Sequence, residues 1–299
     1  MKILVIGGTG TVGSQVVANL LKRKADVRVM TSSAEKVRTV PAGTEGVVGN
    51  LKDKASLVNV FKGVERAFLL TPVSQTETEE GLNAVQAAKS AGVKRIVFMS
   101  IYRLEDIPNA PHFAGKVPIE KAVKESGIPY TIIRPNSFYQ NDYWLKDPIM
   151  QYGIYPQPIG NVGVHRVDVR DIAEAAVNAL LNDGHTAKTY SLVGPDLMTG
   201  ESGAKTFGKY LGKEIVYAGD DLDKWAEQAK MMLPEWMVND FRVMLKHFQT
   251  KGFIATPEHH AETERILGKK PRSFETFANE ASTAWKQEAK AGVTAKTTS

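Results

Sequence analysis

The chain has 299 residues, of which 42% are hydrophobic and 24% are charged, close to the average of a globular protein. It has no cysteine, which excludes a disulfide framework, a thiol nucleophile and thiolate metal sites. No apolar run approaches the roughly 18 residues of a membrane span. The formal charge is +5, and because the lysines are scattered, we expect a solvated surface and no nucleic-acid or membrane partner. Nothing in the sequence argues for secretion, so we expect a cytoplasmic protein.

The first half alternates short apolar runs with helical patterns. Strands are predicted at Lys2–Ile6, Val27–Thr31, Gly46–Gly49, Ala67–Leu70, Arg95–Met99 and Tyr130–Arg134. Helices are predicted around Val12–Leu21, Leu57–Phe61, Thr76–Ala91 and Lys116–Ser126. Strands joined by helices in this way require right-handed crossovers and a parallel sheet with helices on both faces. The predicted fold class is a doubly wound α/β Rossmann sheet.

After Pro135 aromatic residues, prolines and glycines become more frequent. A helix at Val169–Leu181 and a strand at Thr189–Val193 are followed by mostly helical stretches, the last near Ser273–Trp285. We therefore predict a Rossmann core over residues 1–155 and a smaller C-terminal region over 156–291. The C-terminal region is expected to complete the sheet and cover a substrate cleft, and residues 292–299 to form a flexible tail.

A glycine-rich loop lies directly between the first strand and the first helix. It reads Gly7-Gly8-Thr9-Gly10-Thr11-Val12-Gly13 and satisfies both G-x-x-G-x-x-G and G-x-G-x-x-G. Glycines here give a tight turn, let the backbone approach a pyrophosphate and allow close packing of helix on strand. The helix N-terminus would then hold the phosphates, with Gly7, Thr9, Gly10, Thr11, Val12 and Gly13 as contacts. The alternative is a tight strand-to-helix turn without a ligand.

The end of the second strand bears on which dinucleotide binds. NAD sites usually place an acid there to hold the ribose 2′-hydroxyl. This chain has Thr31, Ser32 and Ser33, followed by the cations Lys36 and Arg38. These residues favour NADP over NAD, although NAD remains possible. The alternative is that they only cap a short helix that starts near Ala34.

Three further segments carry a family resemblance. Tyr130–Phe138 reads Tyr-Thr-Ile-Ile-Arg-Pro-Asn-Ser-Phe, His112–Lys116 reads His-Phe-Ala-Gly-Lys, and Ile266–Phe274 reads Ile-Leu-Gly-Lys-Lys-Pro-Arg-Ser-Phe. With the glycine loop, they resemble the NmrA-like family of atypical short-chain dehydrogenase/reductases, which bind NAD(P), over nearly the whole chain. The chain departs from the family pattern twice. Ser32 replaces an arginine that often clamps the 2′-phosphate, and Asn50 replaces an aspartate that often lies near the adenine.

Orthodox short-chain dehydrogenases use a Tyr-x-x-x-Lys turn, which the equivalent helix lacks. Ser100 follows the fifth strand, Tyr102 comes two residues later, and His112-x-x-x-Lys116 begins the helix. Lys116 is the leading catalytic candidate, as a donor to the nicotinamide ribose and, by resemblance, to the substrate. The alternative is a solvated lysine at a helix N-terminus, where a cation is mildly unfavourable.

The other catalytic candidates have stronger alternatives. Histidine titrates near neutrality, so His112 is a candidate general acid, but a loop histidine packed beside Pro111 and Phe113 is equally expected. Tyr102 is a weaker candidate acid, for which a surface loop position is preferred. Ser100 is as well suited to capping a turn as to touching a ligand.

Ligands of doubly wound sheets bind outside the carboxyl ends of the strands. The residues predicted there to border the cofactor are Asn50, Leu70, Thr71, Pro72, Pro135, Asn136, Ser137 and Phe138. The residues predicted to line a substrate pocket are Tyr139, Trp144, Tyr155, His165, Trp225, Met232 and Trp236, although each alone is more often a core residue. No metal site is predicted, because cysteine and a His-x-x-x-His pair are absent.

These patterns favour an NADPH-dependent reductase that passes hydride to a hydrophobic carbonyl, quinone or conjugated acceptor. A missing tyrosine acid fits acceptors that need little help with protonation. The alternative is a non-catalytic NADP(H)-sensing regulator that engages a protein partner. A nucleotide-sugar epimerase is disfavoured because Tyr-x-x-x-Lys is missing. We expect a small hydrophobic substrate and a monomer or homodimer.

Overall fold

The computed structural model describes the backbone of residues 1–297 and the side chains of residues 1–291. The chain divides into two compact units that are interleaved along the sequence. Unit 1 comprises Met1–Asn136, Val169–Leu192 and Glu258–Lys270, and unit 2 comprises Ser137–Asp168, Val193–Pro257 and Pro271–Ser299. Of the predicted tail, residues 292–297 belong to the last helix, and residues 298–299 lie outside the described residues.

Unit 1 is built on a seven-stranded, all-parallel sheet. Its strands are β1 (Lys2–Val5), β2 (Asp26–Thr31), β3 (Thr44–Val48), β4 (Arg66–Leu69), β5 (Arg95–Met99), β6 (Tyr130–Pro135) and β8 (Lys188–Leu192). Their order in the sheet is β3-β2-β1-β4-β5-β6-β8. The helices are α1 (Thr11–Lys22), α2 (Ala34–Val37), α3 (Lys54–Phe61), α4 (Glu77–Ser90), α5 (Pro111–Ala114), α6 (Lys116–Glu125), α7 (Val169–Leu181) and α11 (Pro257–Leu267). The predicted doubly wound Rossmann sheet is confirmed, and the strand predicted at Thr189–Val193 is its seventh member.

The aliphatic runs become strands because the sheet is covered on both faces. Ile3, Leu4 and Val5 of β1 are all fully buried. Leu4 belongs to a core that takes side chains from α3, α4 and α6, whereas α1 and α7 pack against each other. A strand with two buried faces needs apolar residues at every position rather than at alternate ones, which is the pattern of this run.

Unit 2 is mostly helical. Its helices are α8 (Gly200–Leu211), α9 (Leu222–Ala229), α10 (Glu235–Lys251) and α12 (Phe274–Thr297), and two short helical segments cover Tyr139–Leu145 and Pro148–Tyr152. Strands β7 (Ile154–Tyr155) and β9 (Val216–Tyr217) form a separate two-stranded parallel sheet. Its core is aromatic, with the ring of Phe207 stacked on Trp285 at 5.3 Å between centroids. Among the described residues of the chain, no helix is both long and apolar enough to span a membrane.

Candidate functional site

The glycine loop joins β1 to α1 and turns on Gly7, whose φ of +76° favours glycine. The Gly10 N–H donates to the Gly7 carbonyl at 3.0 Å and closes the turn. A Cβ added to Gly13 would lie 2.0 Å from the Gly7 carbonyl oxygen, so only glycine lets the helix approach the loop. A Cβ added to Gly10 would meet nothing closer than that same oxygen, at 3.4 Å. The fold therefore does not require glycine at position 10, and the space in front of it is open.

The N-terminus of α1 faces this open space with its backbone donors. Gly10 is the N-cap; among the described residues no side chain caps the helix, and its first turn holds no acid. Thr9, Gly10 and Thr11 are exposed, whereas Val12 is buried in the core. The first N–H groups of a helix lack intrahelical partners and lie at the positive end of its dipole. The loop therefore fits an anionic group such as a pyrophosphate.

The end of β2 carries the predicted hydroxyl cluster. Thr31 donates its hydroxyl to the Ser33 carbonyl at 3.1 Å, and Ser33 caps α2 by accepting the Lys36 N–H at 3.3 Å. The capping alternative is thus confirmed for Ser33, whereas Ser32 and Lys36 are exposed. Asn50, also exposed, accepts the Lys52 N–H at 3.0 Å and so holds the turn after β3. A hydroxyl and a cation remain available to a phosphate beside β2.

The carboxyl end of β4 leads to a buried ionic cluster, here called the Lys116 cluster, of Lys116, Glu77 and Thr71. The Lys116 ammonium donates to Glu77 Oε1 at 2.6 Å and to Thr71 Oγ1 at 3.1 Å, and the Thr71 hydroxyl donates to Glu77 Oε1 at 2.6 Å. Lys116 is only 3% exposed, so the alternative of a solvated lysine is wrong. Leu70, just before Thr71, packs against Gly7 of the glycine loop, and Pro72, just after it, is exposed.

Tyr102 follows β5 and is fully buried, so the preferred surface loop position is wrong. Its hydroxyl lies 2.8 Å from Nδ1 of His259 on α11. Burial raises the pKa of Tyr102 to about 12, which makes its phenol a weaker acid than an ordinary tyrosine. His112, on α5, is also buried, and its ring meets Phe113 edge-on at 4.6 Å, the packing that its alternative describes.

Ser100 is fully buried, and its hydroxyl has no hydrogen-bond partner among the described residues. Arg134, just before Pro135, donates to Glu120 of α6 at 2.8 and 2.7 Å and to Glu105 at 2.8 Å, which ties β6 to α6. Burial alone would raise the pKa of Glu120, but hydrogen bonding and charge from Arg134 hold it below its ordinary value. The arginine of the Arg-Pro segment therefore has a structural role, which is to attach β6 to α6. Pro135 ends β6, and the Asn136 N–H donates to the Leu192 carbonyl at 3.0 Å.

The remaining predicted residues belong to unit 2. The Ser137 carbonyl accepts the Val167 N–H at 2.9 Å, and the Phe138 carbonyl accepts from Arg166. Tyr139 and Tyr155 are fully buried in the aromatic core, and burial, with the Asp142 charge, raises the Tyr155 pKa well above its usual value. Among the remaining substrate candidates, His165 is buried and accepts the Ala255 N–H at 3.0 Å. Trp225 and Trp236 are half-buried. Trp144 and Met232 are 76% and 69% exposed.

Comparison with known proteins adds a family to this geometry. Residues 1–278 match the NmrA-like family. The chain belongs to the NmrA-like family. It is 30% identical to the NAD(P)H azoreductase of Xenophilus azovorans, over 92% of this chain and 96% of that protein. It is 33% identical to the (4-alkanoyl-5-oxo-2,5-dihydrofuran-3-yl)methyl phosphate reductase of Streptomyces griseus, over 78% of this chain and 82% of that one.

A solved structure has the same fold. The NADPH-dependent quinone oxidoreductase of Escherichia coli, complexed with NADPH, superposes with a TM-score of 0.83 at 21% identity, over 93% of this chain and 99% of that one. The resemblance seen in the sequence is thereby confirmed at the level of family and fold.

Sequence reasoning missed two acidic residues of this NmrA-like chain, Glu77 and Glu120. Both are almost fully buried, and each binds a cation of a quoted segment, Lys116 for Glu77 and Arg134 for Glu120. A signal existed for Glu77, because Glu77, Gly81, Ala84 and Ala88 recur at the spacing of one helix face, which is the buried face of α4. An acid on the apolar face of a helix predicts a buried cationic partner. In the part of the chain that the structure describes, no cluster of three or more His, Asp or Glu is arranged to hold a metal ion.

Proposed function

We propose that this protein is an NADPH-dependent reductase that passes hydride to a small hydrophobic carbonyl, quinone or conjugated acceptor. The observation that carries the proposal is the open space at Gly10. A glycine that the fold does not need, at an uncapped helix N-terminus after a parallel strand, is suited to the close approach of a pyrophosphate.

The names of the relatives support the class of acceptor. Two of the relatives are a NAD(P)H azoreductase and a reductase of an oxo-dihydrofuran phosphate, and one structure of the same fold is a quinone oxidoreductase. Azo, enone-like and quinone groups are all electron-poor conjugated systems. These names support the proposal of an acceptor of that kind for this chain.

The chain's residues would divide the work of binding as follows. The glycine loop would hold the pyrophosphate, Ser32 and Lys36 would bind the phosphate of the adenosine ribose, and Lys116 would donate to the ribose next to the nicotinamide. When bound, the nicotinamide supplies the hydride, and the protein orients both reactants and excludes water. Tyr102 is fully buried and bonded to His259, so this arrangement suits acceptors that need little proton donation from the protein.

The deciding experiment follows the absorbance of NADPH during incubation with a panel of quinones, azo dyes, cationic dyes and aldehydes. Turnover with a conjugated acceptor, abolished in Gly10→Val, supports the reductase. Tight NADPH binding by calorimetry with no turnover across the panel would favour the second candidate, a cofactor-sensing regulator. Absence of NADPH binding would contradict both.

A further inference from the structure

The Lys116 cluster contains a buried carboxylate, that of Glu77, to which the proposed function assigns no role. Glu77 is 2% exposed and lies in the first turn of α4. Its Oε1 accepts both the Lys116 ammonium and the Thr71 hydroxyl, while its buried Oε2 has no hydrogen-bond partner among the described residues. Burying a carboxylate is costly unless its charge is compensated, so Glu77 and Lys116 depend on each other.

The position of Lys116 also needs an explanation. As the first residue of α6 it lies at the positive end of the helix dipole, where a cation is disfavoured. The Phe98 ring, 5.7 Å from the ammonium, supplies a second attraction from β5. The Thr78 hydroxyl donates to the Gly115 carbonyl at 2.9 Å and fixes α4 against the residue before Lys116. The first turn of α4 therefore determines both the position and the counter-charge of the ammonium.

An ammonium has three hydrogens to donate. Glu77 and Thr71 take two of them, and in the described part of the chain the third has no side-chain or backbone acceptor. We propose that Glu77 is the positioning residue of the active site: it keeps the buried Lys116 charged and leaves one N–H for the ribose beside the nicotinamide. This inference rests on the proposed cofactor site and adds to it a residue that does not touch the cofactor.

Removal of the carboxylate then has a distinctive consequence. In Glu77→Gln the side chain keeps its size but the ammonium loses its counter-ion, and a buried ammonium without one gives up its proton more readily. Loss of that proton removes the charge-assisted donor to the ribose. We expect NADPH to bind about 10- to 100-fold more weakly than to the wild type. The loss of NADPH affinity in this variant should grow as the pH rises from about 7 to 9, because Lys116 is charged in a smaller fraction of the molecules.

The experiment is a double-mutant cycle read by calorimetry of NADPH binding. It compares wild type, Glu77→Gln, Lys116→Ala and the double variant, each measured across the pH range as a ratio to wild type. The other buried titratable groups on the helices around the ammonium are Glu80 on α4, His112 on α5 and Glu120 on α6. All three are present in every variant, so their titration cancels in the ratio. Glu79→Gln, in the same helical turn but exposed, is the matched control and should bind as the wild type does.

If Glu77 acts through Lys116, adding Glu77→Gln to Lys116→Ala changes affinity by less than about twofold. An equal loss in both backgrounds, or a loss independent of pH, would mean that Glu77 only supports the fold and would overturn the inference. Glu77→Asp keeps the charge on a shorter side chain, so its NADPH affinity should lie between those of the wild type and Glu77→Gln. The ratio of its affinity to that of the wild type should not change with pH. This variant decides the matter if Glu77→Gln does not fold, and a pH-dependent loss in Glu77→Asp would count against the inference.

The outcomes separate this inference from the proposed function. NADPH binding that obeys the cycle, without turnover on any acceptor, would support the role of Glu77 and contradict the reductase. Turnover by a protein whose Glu77→Gln variant binds NADPH normally would support the reductase and overturn the role of Glu77. A wild-type protein that does not bind NADPH would overturn both.

Discussion

Replacing Gly10 with valine should weaken cofactor binding without unfolding the protein. At Gly10 φ is −87° and ψ is 179°, an extended backbone that valine adopts readily. The new Cβ would meet only the Gly7 carbonyl oxygen, at 3.4 Å, so no folded contact is lost. Removing a glycine also restricts the unfolded chain, which typically stabilises a protein by about 0.4–1 kcal/mol where the backbone is compatible. We expect the midpoint of thermal unfolding to stay level or rise slightly.

The cofactor, in contrast, would meet the valine side chain where its phosphates approach the backbone. A hydrogen bond to a charged group contributes about 1.5–3 kcal/mol, and displacing the pyrophosphate removes at least one. Since every 1.4 kcal/mol is a factor of ten, the Kd for NADPH should rise about 10- to 150-fold. Calorimetry of NADPH binding on the folded variant measures this directly.

Two further glycine variants complete the test. Gly184→Val is the matched control, because a Cβ there has nothing within 4 Å, and its NADPH affinity should match that of the wild type. Gly13→Ala should instead lose stability, by about 1–3 kcal/mol, since its Cβ would lie 2.0 Å from a backbone oxygen. A stable Gly10→Val protein with an unchanged Kd would refute the assignment of the loop to pyrophosphate binding.

The hydroxyls and cation beside β2 should favour NADPH over NADH by about tenfold in Kd, and Ser32→Arg should widen that ratio; equal constants in the wild type would show that the 2′-phosphate is not recognised. Lys116→Ala should weaken NADPH binding by about 1.5–3 kcal/mol and lower turnover more than affinity, which steady-state kinetics and calorimetry together measure. A cofactor-bound structure with Lys116 far from the ribose would contradict this. Because the folded-state pKa of Glu120 is depressed, its contribution to stability is present above about pH 4.5 and is lost as the pH falls through the folded value. Denaturant unfolding should therefore show that acidification lowers the free energy of unfolding more steeply in wild type than in Glu120→Gln. Equal slopes of that free energy against pH in the two proteins would contradict a stabilising role of the Glu120 carboxylate.

The sequence was sufficient for the sheet because its signal is local. The run Ile3–Ile6 is apolar at every position and is followed by two glycines, and such a run becomes a strand buried on both faces. The strands β7 and β9 escaped prediction because each has two residues, too few for any periodicity to show. The last helix also extends beyond its predicted end at Trp285, to Thr297.

The candidate site also contains some residues that a local sequence pattern reveals and others that it does not. The glycine loop could be recognised because its residues are consecutive and its flanking elements are regular. The partners of Lys116 and Tyr102 could not be, since Glu77 and His259 lie far from them in sequence and come together only in the folded sheet. The surface position expected for Tyr102 followed from its loop location, and it is wrong because α11 covers the ring.

The division of unit 1 into three chain segments limits how this protein can be shortened. Expression of residues 1–136 alone would leave β6 as a bare sheet edge without β8, and would remove α7, which packs against α1. An unpaired, apolar edge strand is a template for association with other chains. Helices α1 and α7 are far apart in the sequence, with β2 to β6 between them. Their contact therefore closes a long loop of chain, and the entropy cost of that closure must be overcome before the contact contributes to stability. A fragment that ends after β6 is therefore expected to aggregate, and a domain exchange between relatives would have to carry all three segments together.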